Sequence, residues 1–198
     1  MPESPPAQRA LLEAAVAELS AHGFSGAKIE RIARRAGFNK ALAYRYFGDR
    51  PGLLREALRS VFLGRRALLD RLPEHVGEAL AFWFRQTGED PHFMRLIQHE
   101  ALADEGDSPV EADYRRDYYR TQIEMIRGFQ ARGDVDPALD SEMLFYALLA
   151  LVVFPSSFPQ ITRLVTGMPF DDPQFQERWV TLLTQFAEHL RPPEAGPR

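Results

Sequence analysis

The sequence predicts an all-α protein of about nine helices, with short helices near the N-terminus and a larger helical body behind them. Three observations predict it. Apolar residues recur at helical spacing, as at Leu12, Ala15, Val16 and Leu19 and again at Ile29, Ile32, Ala33 and Ala36. No stretch sustains β-type alternation bounded by turn residues. Cap-and-proline pairs stand at Asp90-Pro91, Ser108-Pro109, Asp136-Pro137 and Asp172-Pro173. In each pair a side-chain oxygen can accept an orphan N–H, and proline loses nothing at the first helical position.

Taken in order, the expected helices lie near 5–22, 28–35, 40–46, 50–70, 74–87, 91–103, 109–132, 138–165 and 173–190. Gly23 and Gly133 sit where helices stop, because glycine takes a left-handed φ without strain. Pro155 and Pro159 each remove a backbone donor, so they should kink or split the eighth helix. Pro2, Pro5 and Pro6 mark a frayed start, and the proline-rich end from Arg191 to Arg198 reads as a disordered tail.

The 198 residues are 45% hydrophobic and 26% charged, enough for a globular core and too apolar for a disordered chain. With no cysteine there is no disulfide, thiolate metal site or cysteine nucleophile. No apolar segment behind a basic start marks a signal peptide. The uncharged stretch between Glu142 and Arg163 is continuously apolar only from Met143 to Phe154, which suits a buried helix better than a bilayer span. A cytoplasmic protein without a membrane partner is the expectation. Charge is uneven. Residues 1–60 hold ten basic and six acidic residues, net +4, while the whole chain is net −4, so the remainder is −8. A basic module on an acidic body fits that asymmetry.

Residues 24–54 are the most informative. A short helix ending near Ala36 is followed by Gly37 as a tight turn, Phe38 as an apolar plug and Asn39 as a cap for a helix from Lys40 to Tyr46. Two short helices joined by a glycine turn describe a helix-turn-helix. Phe38, Ala43 and Phe47 can face inward, leaving Lys40, Ala41, Leu42, Tyr44 and Arg45 outward. Such a helix fits a major groove about 12 Å wide. The bland alternative is a helical hairpin carrying solvated arginines.

Gly23-Phe24, Ile32-Ala33, Ala36-Gly37-Phe38-Asn39-Lys40, Tyr44-Arg45-Tyr46-Phe47 and Arg50 with Leu53 resemble the DNA-binding domain of the TetR family of bacterial transcriptional regulators. The resemblance covers roughly residues 7–55. It implies an N-terminal three-helix helix-turn-helix DNA-binding module over 1–50 and a helical ligand-binding and dimerisation domain over 51–190. It also implies double-stranded operator DNA, a second copy of the chain and a small apolar or mixed-polarity effector as partners. Carried over, Tyr44 is the DNA-contacting tyrosine, Tyr46 and Arg50 contact phosphate, and Lys40, Ala41 and Leu42 occupy base-reading positions. Lys28 replaces the family's threonine and Asn39 its serine. Ala43 replaces a leucine, so a neighbour such as Leu42 has to fill the gap, and a Leu42 turned inward no longer reads bases. Arg45 can reach either guanine or phosphate.

In the body, aromatics at helical spacing are mostly core. Effector-pocket candidates are Phe82, His99, Tyr114, Tyr118 and Phe145. The family pairs through its last two helices, which here points to Phe154, Trp179, Leu182, Leu183 and Phe186 as dimer-interface candidates. A twofold dimer implies a palindromic operator. The sequence holds no G-x-S-x-G, Walker, H-E-x-x-H or dinucleotide motif, and His92, His99 and Glu100 match no metal-ligand spacing. No enzyme, metal or cofactor is expected. The rival to a ligand-responsive repressor is a ligand-binding helical module without DNA binding.

Overall fold

The computed structural model describes residues 5–102 and 109–193. Among them are ten α-helices: α1 (Pro6–Gly26), α2 (Ile29–Arg35), α3 (Lys40–Phe47), α4 (Arg50–Ala67), α5 (Val76–Glu89), α6 (Pro91–Leu102), α7 (Ala112–Ala131), α8 (Ser141–Ser157), α9 (Pro159–Thr166) and α10 (Pro173–Glu188). One 3₁₀ turn spans Leu69–Arg71. No strand occurs among the described residues.

The chain divides into two compact units, Met1–Leu69 with His92–Arg115, and Asp70–Pro91 with Arg116–Arg198. In the first, α1 to α4 enclose Leu11, Ala15, Leu19, Ile32, Ala43, Leu53, Ala57 and Leu58, with Leu96 from α6. The boundary read from sequence at 50/51 therefore falls at the start of a helix whose apolar face belongs to the first unit. Gly23 interrupts α1 with φ 68°. It also lies against α6: a Cβ there would meet the His99 ring at 3.0 Å. Two buried rings, Phe62 and Phe93, meet edge to face at 5.3 Å. The Arg115 guanidinium lies over Phe62 at 4.9 Å and pairs with Glu100 at 2.6 Å, so its charge is answered where it is buried.

In the second unit α5 packs against both α8 and α10. Gly77 lets α5 approach α10 closely, since a Cβ there would lie 3.2 Å from Thr184 Cα. Phe84, fully buried, anchors a ring cluster with Phe170 and Phe175, and Trp179 stacks on Phe175 at 6.0 Å.

The two prolines of the expected eighth helix behave differently. Pro155 stays inside α8. Its missing N–H would have bonded Leu151 O, and the Trp179 indole N–H supplies that bond instead at 3.3 Å. Pro159 begins α9, which leaves α8 at 87°. The carbonyl that Pro159 fails to serve, Pro155 O, accepts from the Thr162 hydroxyl at 3.0 Å. Among the described residues no single helix is long and apolar enough to cross a membrane. The expectation that the Met143–Phe154 run is buried needs correction: Leu148 and Val152 are buried, whereas Met143, Tyr146 and Phe154 are exposed.

Of the expected caps, Asp172 starts α10 by accepting from Gln174 and Phe175 N–H. Asp136 does not start a helix. It accepts from Ala138 N–H within a turn, and Asp140 caps α8 four residues later. Ser108 and the end of the tail, 194–198, lie outside the described residues. Gly133 closes α7 at φ 79°, as expected.

Candidate nucleic-acid interface

The site grows from local rules. α2 ends in a tight turn at Gly37, φ 78°, where the Phe38 N–H reaches back to Ala33 O at 2.9 Å. The chain then extends through Asn39, whose side chain accepts from Leu42 N–H at 2.9 Å and so starts α3. Asp49 starts α4 in the same way, accepting from Gly52 N–H at 2.6 Å. Gly52 is required there because a Cβ would strike the Phe47 carbonyl.

These restraints fix which side of α3 faces out. Ala43 and Phe47 are buried. Lys40, Ala41, Tyr44, Arg45 and Tyr46 are exposed together, with Lys28 and Asn39 exposed beside them. Leu42 is half-buried and packs on the core beside Ala43, apart from that exposed row. Phe38, expected inward as a plug, is instead 37% exposed. The turn at Gly37 ends the apolar ridge one residue early.

Arg50 is not simply held out for phosphate. Its guanidinium donates to Phe24 O and, at 3.3 Å, to Ala27 O, tying the start of α4 to the α1–α2 turn. Beside it lies an element the sequence reading missed. Glu18, nearly buried, accepts from Arg31 Nε at 2.5 Å and from Lys28 N–H at 3.2 Å. Burial pushes the Glu18 carboxyl up, but the bonds from Arg31 and Lys28 and the nearby charges of Arg31 and His22 outweigh it and hold the group below its ordinary value. The available signal was an acid placed among Ala14, Ala15, Ala17 and Leu19 on a buried side. A second missed feature joins α2 to α3. The Lys40 ammonium hydrogen-bonds the Glu30 carboxylate, which lowers the pKa of Glu30 and raises that of Lys40. Ten residues separate them in sequence, and only the turn brings them together.

The pocket candidates do not form one group. Tyr118 and Phe145 are linked through Tyr119, at ring distances of 5.3 and 6.2 Å. Phe82 packs on Trp83 at 5.6 Å. His99 belongs to the first unit, where Nε2 lies 3.2 Å from Ser20 O. Tyr114 also lies there, under the Arg59 guanidinium, with a buried hydroxyl that has no hydrogen-bond partner among the described residues. Among the dimer candidates, Phe154, Leu182 and Phe186 are exposed and Trp179 is half-buried. Leu183 is 1% exposed and belongs to the core, a correction set by the α10 face that meets α5.

An outward, capped second helix above a buried alanine and phenylalanine defines the chain as a helix-turn-helix regulator. Comparison with known proteins makes the family plain. Residues 11–57 match the bacterial regulatory proteins of the tetR family, and residues 77–188 match the tetracyclin repressor-like C-terminal domain; the chain belongs to the TetR family of transcriptional regulators. It is 29% identical over 158 residues to the HTH-type transcriptional repressor SCO4008 of Streptomyces coelicolor, covering 79% of this chain and 82% of that one. It is 41% identical over 54 residues to the regulator BetI of Agrobacterium fabrum, covering 27% and 26%. Among solved structures, the fold resembles the transcriptional regulator SCO4942 of Streptomyces coelicolor, with TM-score 0.73, 22% identity and coverage of 93% and 97%. It also resembles FadR of Bacillus subtilis in complex with stearoyl-CoA, with TM-score 0.64, 15% identity and coverage of 89% and 97%.

Proposed function

We propose that this regulator is a homodimeric, sequence-specific repressor that reads a palindromic operator through α3 and releases it when a small effector binds. The observation that carries the reading is the exposed row Lys40, Ala41, Tyr44 and Arg45 held over buried Ala43 and Phe47. Lys28, Tyr46 and Arg50 flank it as phosphate contacts, which position a protein without reading sequence. Arg50 reaches phosphate while it braces the α1–α2 turn. A cytoplasmic location follows from access to DNA.

Pairing is supported by uncovered apolar rows. Met143, Tyr146 and Phe154 on α8 and Leu182 and Phe186 on α10 are exposed at near-helical spacing, which a lone protomer would leave wet. Two copies related by a twofold axis place two α3 helices on half-sites one helical turn of DNA apart. The effector is of apolar or mixed polarity, and the Tyr118, Tyr119 and Phe145 group is the place proposed for it. The bound stearoyl-CoA of the FadR neighbour is an example of such a ligand on this fold.

Selection of duplexes from a random pool, with sedimentation of the free protein, tests the reading. Enrichment of an inverted repeat by a dimer supports it. No enrichment of any duplex, or a monomer throughout, overturns it.

A further inference from the structure

Lys40 heads the reading helix, yet its ammonium is already engaged. It hydrogen-bonds the Glu30 carboxylate from the first turn of α2 and lies 5.5 Å from the centre of the Tyr44 ring. The Glu30 and Lys40 side chains are 59% and 47% exposed, so the pair lies open to whatever approaches α3. Lys28 and Arg45 are exposed on the same module, and the Lys28 charge also acts on Glu30.

We propose that Glu30 is a specificity-determining residue that gates Lys40 by competing with DNA for its ammonium. The inference rests on the DNA-binding reading above. A phosphate or base acceptor that approaches Lys40 competes with the Glu30 carboxylate, which already holds one of the ammonium's three N–H donors. Every duplex meets this cost alike. It is recovered only where a base donates to the carboxylate, as when a cytosine amino group hydrogen-bonds Glu30. A phosphate contact offers no such recovery. Glu30 therefore weakens indiscriminate binding more than operator binding and widens the ratio between them, a negative element of the kind that specificity requires.

The test uses the full chain, its selected duplex and a scrambled duplex of the same composition, with binding followed by fluorescence anisotropy. Glu30→Gln, Lys40→Met and the double variant are compared with the parent after melting curves establish that each is folded. Removing the carboxylate is expected to tighten scrambled-duplex binding more than operator binding. One added effective cation steepens the salt slope by about 0.9, so the gain shrinks about threefold between about 50 and 200 mM salt. In the Lys40→Met background the gain disappears. Weaker operator binding by Glu30→Gln, an unchanged ratio, or a gain that survives Lys40→Met overturns the gate alone. A parent chain that binds no duplex overturns the DNA reading and the gate with it.

Discussion

The helix-turn-helix and the helical body are built by different means. In the first, directional bonds decide the geometry: Asn39 and Asp49 start helices, Glu18 holds Arg31 and the Lys28 amide, and Arg50 ties two carbonyls. In the second, rings and close helix contacts decide it, with Phe84, Phe170, Phe175 and Trp179 clustered and Gly77 admitting α10. A reading surface must hold a few side chains at fixed positions, and caps do that within short helices. A helical body packed by rings tolerates many ways of filling volume.

The largest break in this comparison comes from the body. Phe84→Ala removes a fully buried ring at the centre of the cluster and is expected to cost about 3–5 kcal/mol, read from urea denaturation. A loss below about 1 kcal/mol would show that the cluster is not the anchor of its unit. A smaller effect is expected from Asn39→Ala, which frees the Leu42 N–H and should cost about 1 kcal/mol. Its sharper consequence is a larger proportional loss of DNA affinity than of stability, since α3 then frays at its reading end. Equal loss by a substitution at an uninvolved exposed site such as Glu56 would remove that distinction.

The smallest effect is a pH response confined to the first unit. Glu18 has its carboxyl held below the ordinary value of 4.5 in the folded chain. Its contribution is therefore complete above about pH 4.5 and fades as pH falls through the lower, folded value. Glu18→Gln should flatten the acid limb of the stability curve between those values. An acid limb identical to the parent's would contradict the assignment.

The same contrast explains what the sequence disclosed. Turn and cap chemistry is local, so Gly37, Asn39 and Asp172 were legible from neighbours a few residues away. Helix order was legible from apolar spacing, and the split near Pro159 from its missing donor. That Pro155 leaves α8 unbroken was not, because its remedy is an indole twenty-four residues further along. The Glu30–Lys40 pair and the Glu18–Arg31 pair join separate helices and show only in three dimensions. His99 read as a pocket residue because its helix is otherwise apolar, yet its partner is the carbonyl of Ser20, seventy-nine residues earlier. Leu183 read as a dimer-interface residue because its place on the last helix does not say which of two faces meets α5.

The central claim is that the outward row of α3 reads DNA while the residues beneath it only hold the helix. Titration of the selected duplex with the parent and with Tyr44→Ala, an exposed position whose loss leaves the core intact, tests it most directly. The account predicts at least a tenfold weaker Kd for Tyr44→Ala, about 1.4 kcal/mol, with the melting temperature unchanged. Equal affinity for parent and variant on that duplex would contradict it.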